Sequence, residues 1–417
     1  MKYRTMCLIG ITLLLGNIRC AESASANAAS GVFKVEEVIE LALKRNPGMS
    51  AAKGGVRQSQ GERVAAGAFL NPSINGSDGP GSIRDPSTGV SIVERTVTVE
   101  QPLELPGKRR ARREAAEADL AGALAGVEEA RLNVLADAKV AFYRLLLAQR
   151  DVDLSTQNLS TVQEIFQTIK ARVDAGQARP FEAVKADVEL QRATKELSRA
   201  QNGLVAARAG LNAVTAGALG KEFSVRGDFV LLRNDLNLDT LIVSALESHP
   251  ILRRTAKQIE RAEHMVTLEQ ESRIPFVSIT GTYHREAGDE AYIAGLRVPL
   301  PLWYRRQGEI EAALGMKDRA EAERVRAENE LIRAITEFAQ EARTAREQID
   351  VFEKGLLKQA EEALRIARVS FRQGAAGLLD LIDSQRVYRQ VQLEYTEARA
   401  SLSVALARLE RWTGELQ

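Results

Sequence analysis

Residues 190–214 read LQRATKELSRAQNGLVAARAGLNAV and contain two apolar series, each with a spacing of seven residues. One series begins at Leu190, and the other begins three residues later at Ala193. Apolar residues at the a and d positions of successive heptads are typical of a helix in a coiled coil. The stretch therefore predicts a long helix that packs along a partner helix. Its seam positions are Leu190, Ala193, Leu197, Ala200, Leu204, Ala207, Leu211 and Val214.

The same seam recurs 198 residues later, in residues 388–412, which read YRQVQLEYTEARASLSVALARLERW. Every seam position is apolar in this second copy as well. The glycine ahead of the seam is repeated as Gly176 and Gly374, and the threonine after it as Thr215 and Thr413. This duplication predicts a symmetric object built from two copies of one unit, rather than an enzyme with a single cleft.

The composition favours long helices and argues against a nucleic-acid partner. Of the 417 residues, 27% are charged and 5% are aromatic, and the formal net charge is +1. Acidic and basic residues alternate along the helical stretches, as they do on the solvated faces of coiled coils. A nearly neutral chain has no general attraction for nucleic acid. We therefore do not interpret the basic run at residues 108–113 as a nucleic-acid site.

The first 28 residues have the features of a secretory signal peptide. Lys2 and Arg4 precede an apolar run, residues 7–18, which is too short to span a bilayer as a helix. Small residues near the end of this segment provide two cleavage sites. Cys20 offers an alternative, a lipidated first residue of the mature chain, although the preceding residues 17–19, Asn-Ile-Arg, suit that processing poorly.

Each copy contains one candidate β-hairpin, at about residues 69–100 and about residues 274–300. The turns are expected at residues 79–89 and 286–290, because polar side chains, proline and glycine concentrate there. The flanking strands are about nine to eleven residues long, which is enough to cross a bilayer at a tilt. A small soluble sheet is an equally good interpretation of this alternation taken alone.

Long helical hairpins follow the β-hairpins, at about residues 108–217 and about residues 307–414. Their first helices, residues 108–172 and 307–372, would each run on the order of 100 Å and need a coiled-coil partner. The returning seam helix supplies that partner after a tight turn. The predicted organisation is a first repeat at 29–217, a linker at 218–237 and a second repeat at 238–417.

The number of strands has a consequence for assembly. Two strands per repeat give four per chain, and four strands cannot close a barrel. Open sheet edges are not tolerated in lipid. If the strands span a membrane, three chains would give twelve strands and one closed barrel, together with a ring of helices. A cyclic trimer follows from the repeat on that condition.

The duplicated seams and turns, together with the run QPLELPGKR at residues 101–109, resemble the TolC-type outer-membrane efflux factors. The resemblance covers nearly the whole mature chain. The short run by itself looks most like the CzcC-like branch of that family, which is associated with heavy-metal efflux. The resemblance implies a mostly α fold with a small β part. Long antiparallel helical hairpins would form a periplasmic α-barrel, and each chain would contribute four strands to a trimeric 12-stranded outer-membrane β-barrel.

The function implied by this resemblance is a passive conduit in the outer membrane with a periplasmic extension and no cofactor. Its expected partners are two further copies of the chain, a periplasmic adaptor, an inner-membrane pump of the RND type and outer-membrane lipid. Heavy-metal cations are the expected substrate. Drug efflux and type I protein secretion are the alternatives within the family, and a periplasmic coiled-coil scaffold is the alternative of another class.

The resemblance also implies a periplasmic gate near the second helical turn. Asp380 and Asp383 share one helix face, so three chains would place six carboxylates around a constriction. The alternative is an ordinary helix start, where Asp is favoured. Glu182 lies at the corresponding place in the first repeat, and Phe371 stands where the family often has Tyr. Ala376 stands where the family often has Arg, two residues after the glycine of the second repeat. The polar links that latch the gate in relatives are therefore incomplete here.

Two further sets of residues are assigned by their placement. By the same resemblance, the turns at Gly176 and Gly374 are expected to meet the adaptor; an ordinary helix–helix turn would need the same glycines. Residues just after the β-hairpins are expected at the membrane interface, beside phosphate head groups or in an aromatic girdle. A solvated helix start is the alternative for the basic members. The interface set is Arg109, Arg110, Trp303, Tyr304, Arg305 and Arg306.

The sequence contains no catalytic motif and no metal-binding spacing. Its three histidines, His249, His264 and His284, lie far apart along the chain. A phosphate-binding glycine loop, a serine elbow and a CxxC pair are all missing from the sequence. We therefore expect no enzymatic activity, no metal site and no bound cofactor.

Overall fold

The structure is a computed structural model that describes residues 31–232 and 235–414. The predicted signal peptide and Cys20 lie outside the described residues. Each repeat begins with two short helices that meet at a proline, continues with a β-hairpin and ends with a long helical hairpin. The first repeat contains β1 (Val32–Phe33), α1 (Val35–Arg45), α2 (Pro47–Gly67), β2 (Ser73–Arg84), β3 (Ser91–Leu103), α3 (Pro106–Asp174) and α4 (Pro180–Val214).

A short connection carries one further strand, and the second repeat then follows the same order. The connecting strand is β4 (Ser224–Val225), and the second repeat contains α5 (Leu238–Ser248), α6 (Pro250–Glu271), β5 (Val277–Glu286), β6 (Asp289–Arg297), α7 (Gln307–Val351), α8 (Leu357–Arg372) and α9 (Leu378–Thr413).

The long helices pack as the heptads predict. Helix α3 has 69 residues and is therefore about 100 Å long. Helix α4 returns along α3, and its seam residues Ala193, Ala200 and Leu211 are buried. The remaining α4 seam positions are half-buried, and none is exposed. The second seam is buried more deeply, at Val391, Ala398, Leu402, Ala405 and Leu409 of α9.

The stretch of residues 307–372 is helical as predicted, but it is not one regular α-helix. Helix α7 ends at Val351, and a π-helical segment, Phe352–Leu356, separates it from α8. Within this segment Gly355 leaves helical backbone angles, with φ 173° and ψ −32°. The first repeat has no such interruption in α3.

The two β-hairpins form one four-stranded antiparallel sheet in the order β2-β3-β5-β6. The first turn lies at residues 85–90 rather than at 79–89. Strand β2 continues through Pro80 to Arg84, because an edge strand tolerates a residue without an amide N–H. The Asp85 carboxylate then holds the turn by accepting hydrogen bonds from the Ser87 and Thr88 amides, at 2.8 and 3.2 Å.

Residues 218–232, between the two repeats, form a strap that packs against both helical hairpins. Strand β4 pairs in parallel with β1, and Phe223, Val225 and Phe229 are buried in the core around α1, α3 and α4. The Gln149 side chain of α3 accepts a hydrogen bond from the Val225 amide, at 2.9 Å. The Val230 amide donates to the Ser403 hydroxyl of α9, also at 2.9 Å. The strap therefore fixes one repeat against the other.

Candidate functional site

The four-stranded sheet has one polar face and one apolar face. Strand partners lie directly opposite each other, so the register determines which side chains share a face. On the polar face, the Thr98 and Thr282 hydroxyls are hydrogen-bonded at 3.0 Å, and Arg297 pairs with Glu100 at 2.5 Å. Ile293 is an apolar exception on this face. Its other members include Ser73, Asn75, Ser77, Glu94, Thr96, Ser278, Thr280, His284 and Glu286.

The apolar face is the more exposed of the two. Along β3 the exposed residues Val93, Val97 and Val99 alternate with half-buried polar residues of the other face. An exposed apolar surface of this extent is unfavourable in water and calls for lipid or a protein partner. The large side chains exposed on this face are Ile74, Val93, Val97, Val99, Leu103, Ile279, Tyr292 and Leu296.

Aromatic and charged residues border the apolar face at both ends. At the turn end, the Tyr283 and Tyr292 rings lie 5.3 Å apart, next to the exposed ion pairs Arg95–Asp78 and Arg285–Glu290. At the helix end, Trp303 is 90% exposed. Aromatic residues at both edges of an apolar band are typical of strands that cross an outer membrane.

The predicted interface residues of the first repeat differ in how firmly they are held. The Arg109 guanidinium donates to the Gly67 carbonyl, at 2.9 Å, and lies 3.8 Å over the Phe69 ring. Arg110 is exposed and pairs only with Glu114, one helical turn along, among the described residues. Arg109 therefore has a structural role in joining α2 to α3, whereas the Arg110 side chain is exposed and bonded only within its own helix among the described residues.

The predicted interface residues of the second repeat surround the start of α7. Arg306 adopts a left-handed conformation, with φ 60°, and its guanidinium pairs with Glu269 of α6 at 2.5 Å. The Tyr304 hydroxyl donates to the Glu309 carboxylate, at 2.6 Å. Trp303, Tyr304 and Arg305 are exposed. Residues 303–306 thus lie between the end of β6 and the start of α7, with the aromatic side chains exposed.

Lys108, the first residue of the basic run at 108–113, is a functional candidate whose buried contacts the sequence did not predict. It is 6% exposed, its ammonium group donates to the Ile274 carbonyl at 3.0 Å, and it lies 4.2 Å over the Phe276 ring. Burial lowers the pKa of Lys108 from its ordinary value. A buried lysine tied to the start of β5 joins α3 to the second β-hairpin, and the only sequence signal for it is its place in the run at 101–109.

The two helical turns have the same geometry. Gly176 and Gly374 adopt left-handed backbone, with φ of +73° and +75°. The Gly176 amide donates to the Val173 carbonyl, and the next amide, that of Gln177, donates to the Arg172 carbonyl. Gly374 and the residue after it form the same pair of hydrogen bonds. Both helices therefore end in a Schellman motif, for which glycine is the preferred residue.

The predicted gate residues lie close to these turns but in different environments. Asp380 accepts a hydrogen bond from the Gly377 amide, at 3.0 Å, and so caps α9. Asp383 is exposed one turn further along, and Glu182 is half-buried in the first turn of α4. Phe371 is 7% exposed, with the Arg172 guanidinium 4.9 Å from its ring. The structure brings the carboxylates to the surface and places Phe371 in the core beneath them.

Polar links that the sequence analysis missed join the two helical hairpins near their tips. The buried Gln385 of α9 accepts from Arg368 of α8, at 2.9 Å, and donates to Asn158 of α3, at 3.3 Å. Arg386 and Arg389 of α9 pair with Glu189 and Glu196 of α4. These ion pairs had a signal in the sequence, since opposite charges occupy nearly matching positions of the two repeats. All of these residues except Arg368 line a cavity of 480 Å³ between α3, α4 and α9.

Neither a metal cluster nor a helix suited to a bilayer is found in the described residues. Within residues 31–232 and 235–414, no three His, Cys, Asp or Glu side chains are grouped so that they could hold a metal ion. Over the same ranges, no helix combines the length and the apolar character needed to span a membrane.

The chain matches a known protein family over both repeats. The family model described as "Outer membrane efflux protein" matches residues 38–217 and 241–415, and therefore most of the chain, in two segments that correspond to the two repeats. The chain belongs to the outer membrane efflux protein family. It is thus a channel component and not a member of an enzyme family.

Two curated relatives resemble the chain over most of its length. It is 27% identical over 388 residues to the cobalt-zinc-cadmium resistance protein CzcC of Cupriavidus metallidurans, which covers 93% of this chain and 91% of that protein. It is 24% identical over 319 residues to the nickel-cobalt-cadmium resistance protein NccC of Alcaligenes xylosoxydans, covering 75% and 70% of the two chains. The resemblance to the CzcC-like branch is confirmed.

Solved structures show that the fold is shared. The CusC channel superposes with a TM-score of 0.77 at 14% identity, covering 94% of this chain and 96% of CusC. The CmeC outer membrane channel of Campylobacter jejuni superposes with a TM-score of 0.79 at 18% identity, covering 99% and 94%. The predicted fold class, mostly α with a small β part, is confirmed.

Proposed function

We propose that the chain is the outer-membrane conduit of a tripartite efflux system and that it exports heavy-metal cations from the periplasm. The observation that carries the proposal is the two-faced sheet at one end of long helical hairpins, in which α3 alone has 69 residues and is about 100 Å long. An apolar face with aromatic borders suits lipid, and a face of hydroxyls and paired charges suits an aqueous lumen. The long helices would carry the passage into the periplasm.

The sheet edges support a trimer. In one chain, β2 and β6 are the edge strands, and their outer backbone groups have no strand partner among the described residues. Unpaired backbone groups are very costly in lipid. Pairing β6 of one copy with β2 of the next would give twelve strands from three copies and leave no free edge. Each helical hairpin would likewise pack against a helical hairpin of the neighbouring copy.

The proposed conduit is passive, so it would need partners that dock on its periplasmic end and supply the transport energy. A periplasmic adaptor would meet the hairpin tips, at the turns of Gly176 and Gly374, and an inner-membrane pump of the RND type would supply the transport energy. The exposed Arg110, Trp303, Tyr304 and Arg305 would lie at the lipid head groups. Arg109 and Arg306 would stabilise the chain at this border through their bonds to Gly67 and Glu269.

The substrate class is inferred from the relatives. Both curated proteins described above are named for resistance to divalent metal cations. Metal selection would occur in the pump or the adaptor, since the described residues contain no grouped metal ligands. The conduit would need only to admit cations, and its carboxylates would favour them over anions.

The gate is proposed to consist of Asp380 and Asp383, with Glu182 beside them on the first hairpin. Three copies would bring six aspartates to the periplasmic opening. Asp380 would have two roles, because it also caps α9. Phe371 would act by packing beneath the carboxylates rather than by lining the passage.

A planar-bilayer experiment tests the conduit and the gate together. The purified mature trimer should give discrete conductance steps with a preference for cations. The double variant Asp380→Asn and Asp383→Asn should reduce block by multivalent cations, because the charge that holds them is removed. The matched variant Asp318→Asn, at an exposed position of α7 distant in sequence from the turn, should leave the block unchanged. A protein that gives no conductance, or that remains in the soluble fraction, would rule out the conduit.

A further inference from the structure

Two glycines of the edge strand β2 leave open space beside them. Gly76 and Gly79 lie in the interior of the strand, where glycine has no side chain to pack and weakens the sheet. A Cβ built at either position would meet nothing within 4 Å. Glycine inside a strand often marks a place where a ligand or another backbone approaches closely. The two glycines therefore point to a partner along the free side of β2.

The opposite edge of the sheet carries large apolar side chains at the same spacing. On β6, Ile293 is 56% exposed and Leu296 is 72% exposed. These two residues lie three positions apart, as Gly76 and Gly79 do, so each pair places one residue on either face of its strand. Ile293 is the apolar exception on the polar face, and its own chain leaves it more than half exposed.

An antiparallel pairing of β6 with β2 of another copy matches both pairs in a single register. If Leu296 lies opposite Gly76 of the next copy, then Ile293 lies opposite Gly79, because antiparallel partners run in opposite directions. The faces agree as well. Leu296 and Gly76 belong to the apolar face, and Ile293 and Gly79 belong to the polar face. Each large side chain would thus fill the space that a glycine leaves.

The same register brings two further apolar side chains together. Val298 follows the last residue of β6 and would lie opposite Ile74 of the next copy. Both residues are exposed within one chain, and by alternation along their strands both belong to the apolar face. Cross-strand pairs of β-branched residues stabilise a sheet.

The geometry of a closed barrel leads independently to this register. Within one chain, the row of paired residues that contains Arg297 runs through Ser278 and Pro102 and reaches the first edge at residue 71, just before β2 begins. Strands in a barrel tilt by about 35–45°, which displaces the register by about four to six residues for every four strands. The lower end of this range brings Arg297 opposite residue 75 of the next copy, which is the register that the glycines select.

A displacement of about six residues, the upper end of the range, is less favourable. It would place Leu296 opposite Asp78 on the apolar face and Ile293 opposite Gly81. No side chain fits at Gly81, because an added Cβ there would collide with the Glu286 carboxylate. An odd displacement would join the polar face of one copy to the apolar face of the next. A displacement in the other direction would carry most of β6 past the start of β2 and leave its outer backbone groups unpaired in lipid.

We propose that Leu296 and Ile293 of one copy pack over Gly76 and Gly79 of the next copy and so fix the register in which the copies join. This inference rests on the proposed conduit and identifies the surface through which its copies recognise one another in the sheet. The partner is a second copy of this chain, because the complementary residues lie at the two edges of one sheet.

Pairs of cysteines test the register in the assembled protein. The two positions of each pair lie at opposite edges of one sheet, so a short bifunctional thiol reagent can join them only between copies. Matched pairs should give covalently linked trimers, because directly opposite Cβ atoms are about 4.5–5.5 Å apart. The matched pairs are Leu296→Cys with Gly76→Cys and Val298→Cys with Ile74→Cys.

The same four substitutions in swapped combinations are the matched controls. Leu296→Cys with Ile74→Cys and Val298→Cys with Gly76→Cys are each two residues out of register and should react several-fold less. Single-cysteine variants measure the background. An equal yield from matched and swapped pairs, or a higher yield from a swapped pair, would overturn the register.

An exchange of side-chain size tests the contact without cysteines. Gly76→Leu should make neighbouring copies collide and lower the temperature at which the trimer dissociates in detergent. Leu296→Gly should also lower it, because the space at Gly76 is left unfilled. The double variant should be more stable than the two single losses together predict, since the large side chain has only changed strands. Additive losses would contradict the contact.

The result for the register can be separated from the result for the conduit. A wild-type protein that forms no trimer in mild detergent would contradict the proposed function. A trimer that forms, but is linked equally well through the swapped pairs, would contradict only the register.

Discussion

Asn46 and His249 perform the same task in the two repeats with different chemistry. The Asn46 side chain accepts from the Gly48 amide, at 2.7 Å, and donates to the Val214 carbonyl, at 2.9 Å. The His249 Nδ1 accepts from the Ile251 amide, at 3.2 Å, and Nε2 faces the Arg411 carbonyl, at 3.0 Å. Each residue caps the helix that follows it and ties that helix to the end of the returning seam helix. Only the second of these caps can be titrated.

The His249 cap should make stability depend on pH. The ring must be neutral, with the proton on Nε2, because protonated Nδ1 cannot accept a hydrogen bond. Burial lowers the pKa of His249 from its ordinary value of 6.5; the nearby Arg253 and Arg411 act in the same direction, and Glu129 and the Arg411 carbonyl oppose it. Below about pH 6.5 the unfolded chain therefore binds a proton that the folded chain refuses. The free energy of unfolding should be complete above that pH and fall below it.

The variant His249→Asn installs the residue of the first repeat and checks this directly. Urea unfolding followed by far-UV circular dichroism should show a smaller loss of stability between pH 6.5 and pH 5 than in the wild type. An unchanged slope would mean that other groups cause the dependence.

The Asn46 cap should contribute to stability through two separable bonds. Asn46→Ala removes both and should lower the free energy of unfolding by about 1–2 kcal/mol. Asn46→Asp retains the acceptor for the Gly48 amide but loses the donor to the Val214 carbonyl, and should lose less. The same urea experiment at pH 7.5 ranks the three proteins. Equal stability of the Ala variant and the wild type would contradict the role of the cap.

The two faces of the sheet should respond differently to charge. Val99→Arg places a cation on the apolar face, where a charge near the bilayer midplane costs about 2–4 kcal/mol. Thr98→Arg places the same side chain one residue away, on the polar face, and serves as the control. The first variant should fail to appear in the outer-membrane fraction, and the second should appear there at wild-type amounts. Similar behaviour of both would indicate that the sheet does not face lipid.

The turn glycines should be sensitive to any side chain. Gly374→Ala forces alanine into left-handed backbone, which costs about 1–2 kcal/mol. Gly315→Ala makes the same chemical change within a regular helix and should instead stabilise the protein by about 0.5–1 kcal/mol. Thermal unfolding of the two variants should therefore shift in opposite directions. A neutral Gly374→Ala variant would mean that the turn adapts to the side chain.

Much of the helical architecture can be predicted from the sequence, because the apolar seam repeats over four heptads in each copy. The seam residues beginning at Leu190 and Tyr388 are buried or half-buried, as their spacing predicts. The faces of the sheet are less readable, since Thr and Ser on the polar face alternate with Gly as well as Val on the other. The continuation of β2 through Pro80 was missed because proline usually ends a strand, and an edge position overrides that preference.

The candidate site was likewise only partly predictable from the sequence. The Schellman turns at Gly176 and Gly374 follow from the glycines themselves. The burial of Phe371 and of Lys108 depends on packing between elements distant in sequence, which no local pattern records. The π-helical segment around Gly355 had a signal in the sequence, because the two repeats differ by 197 at Pro102 and Pro299 but by 198 at Gly176 and Gly374. That change reveals an inserted residue without locating it, and only the folded chain shows the irregular segment at Phe352–Leu356.

The central claim, a conduit for metal cations, is tested most directly by growth of a strain that lacks this chain across a panel of divalent metals, drugs and detergents. The account predicts selective sensitivity to metals such as zinc, cobalt or cadmium. A wild-type copy should restore growth, and a Val99→Arg copy should not. Sensitivity to drugs or detergents with unaltered growth in metals would contradict the metal substrate.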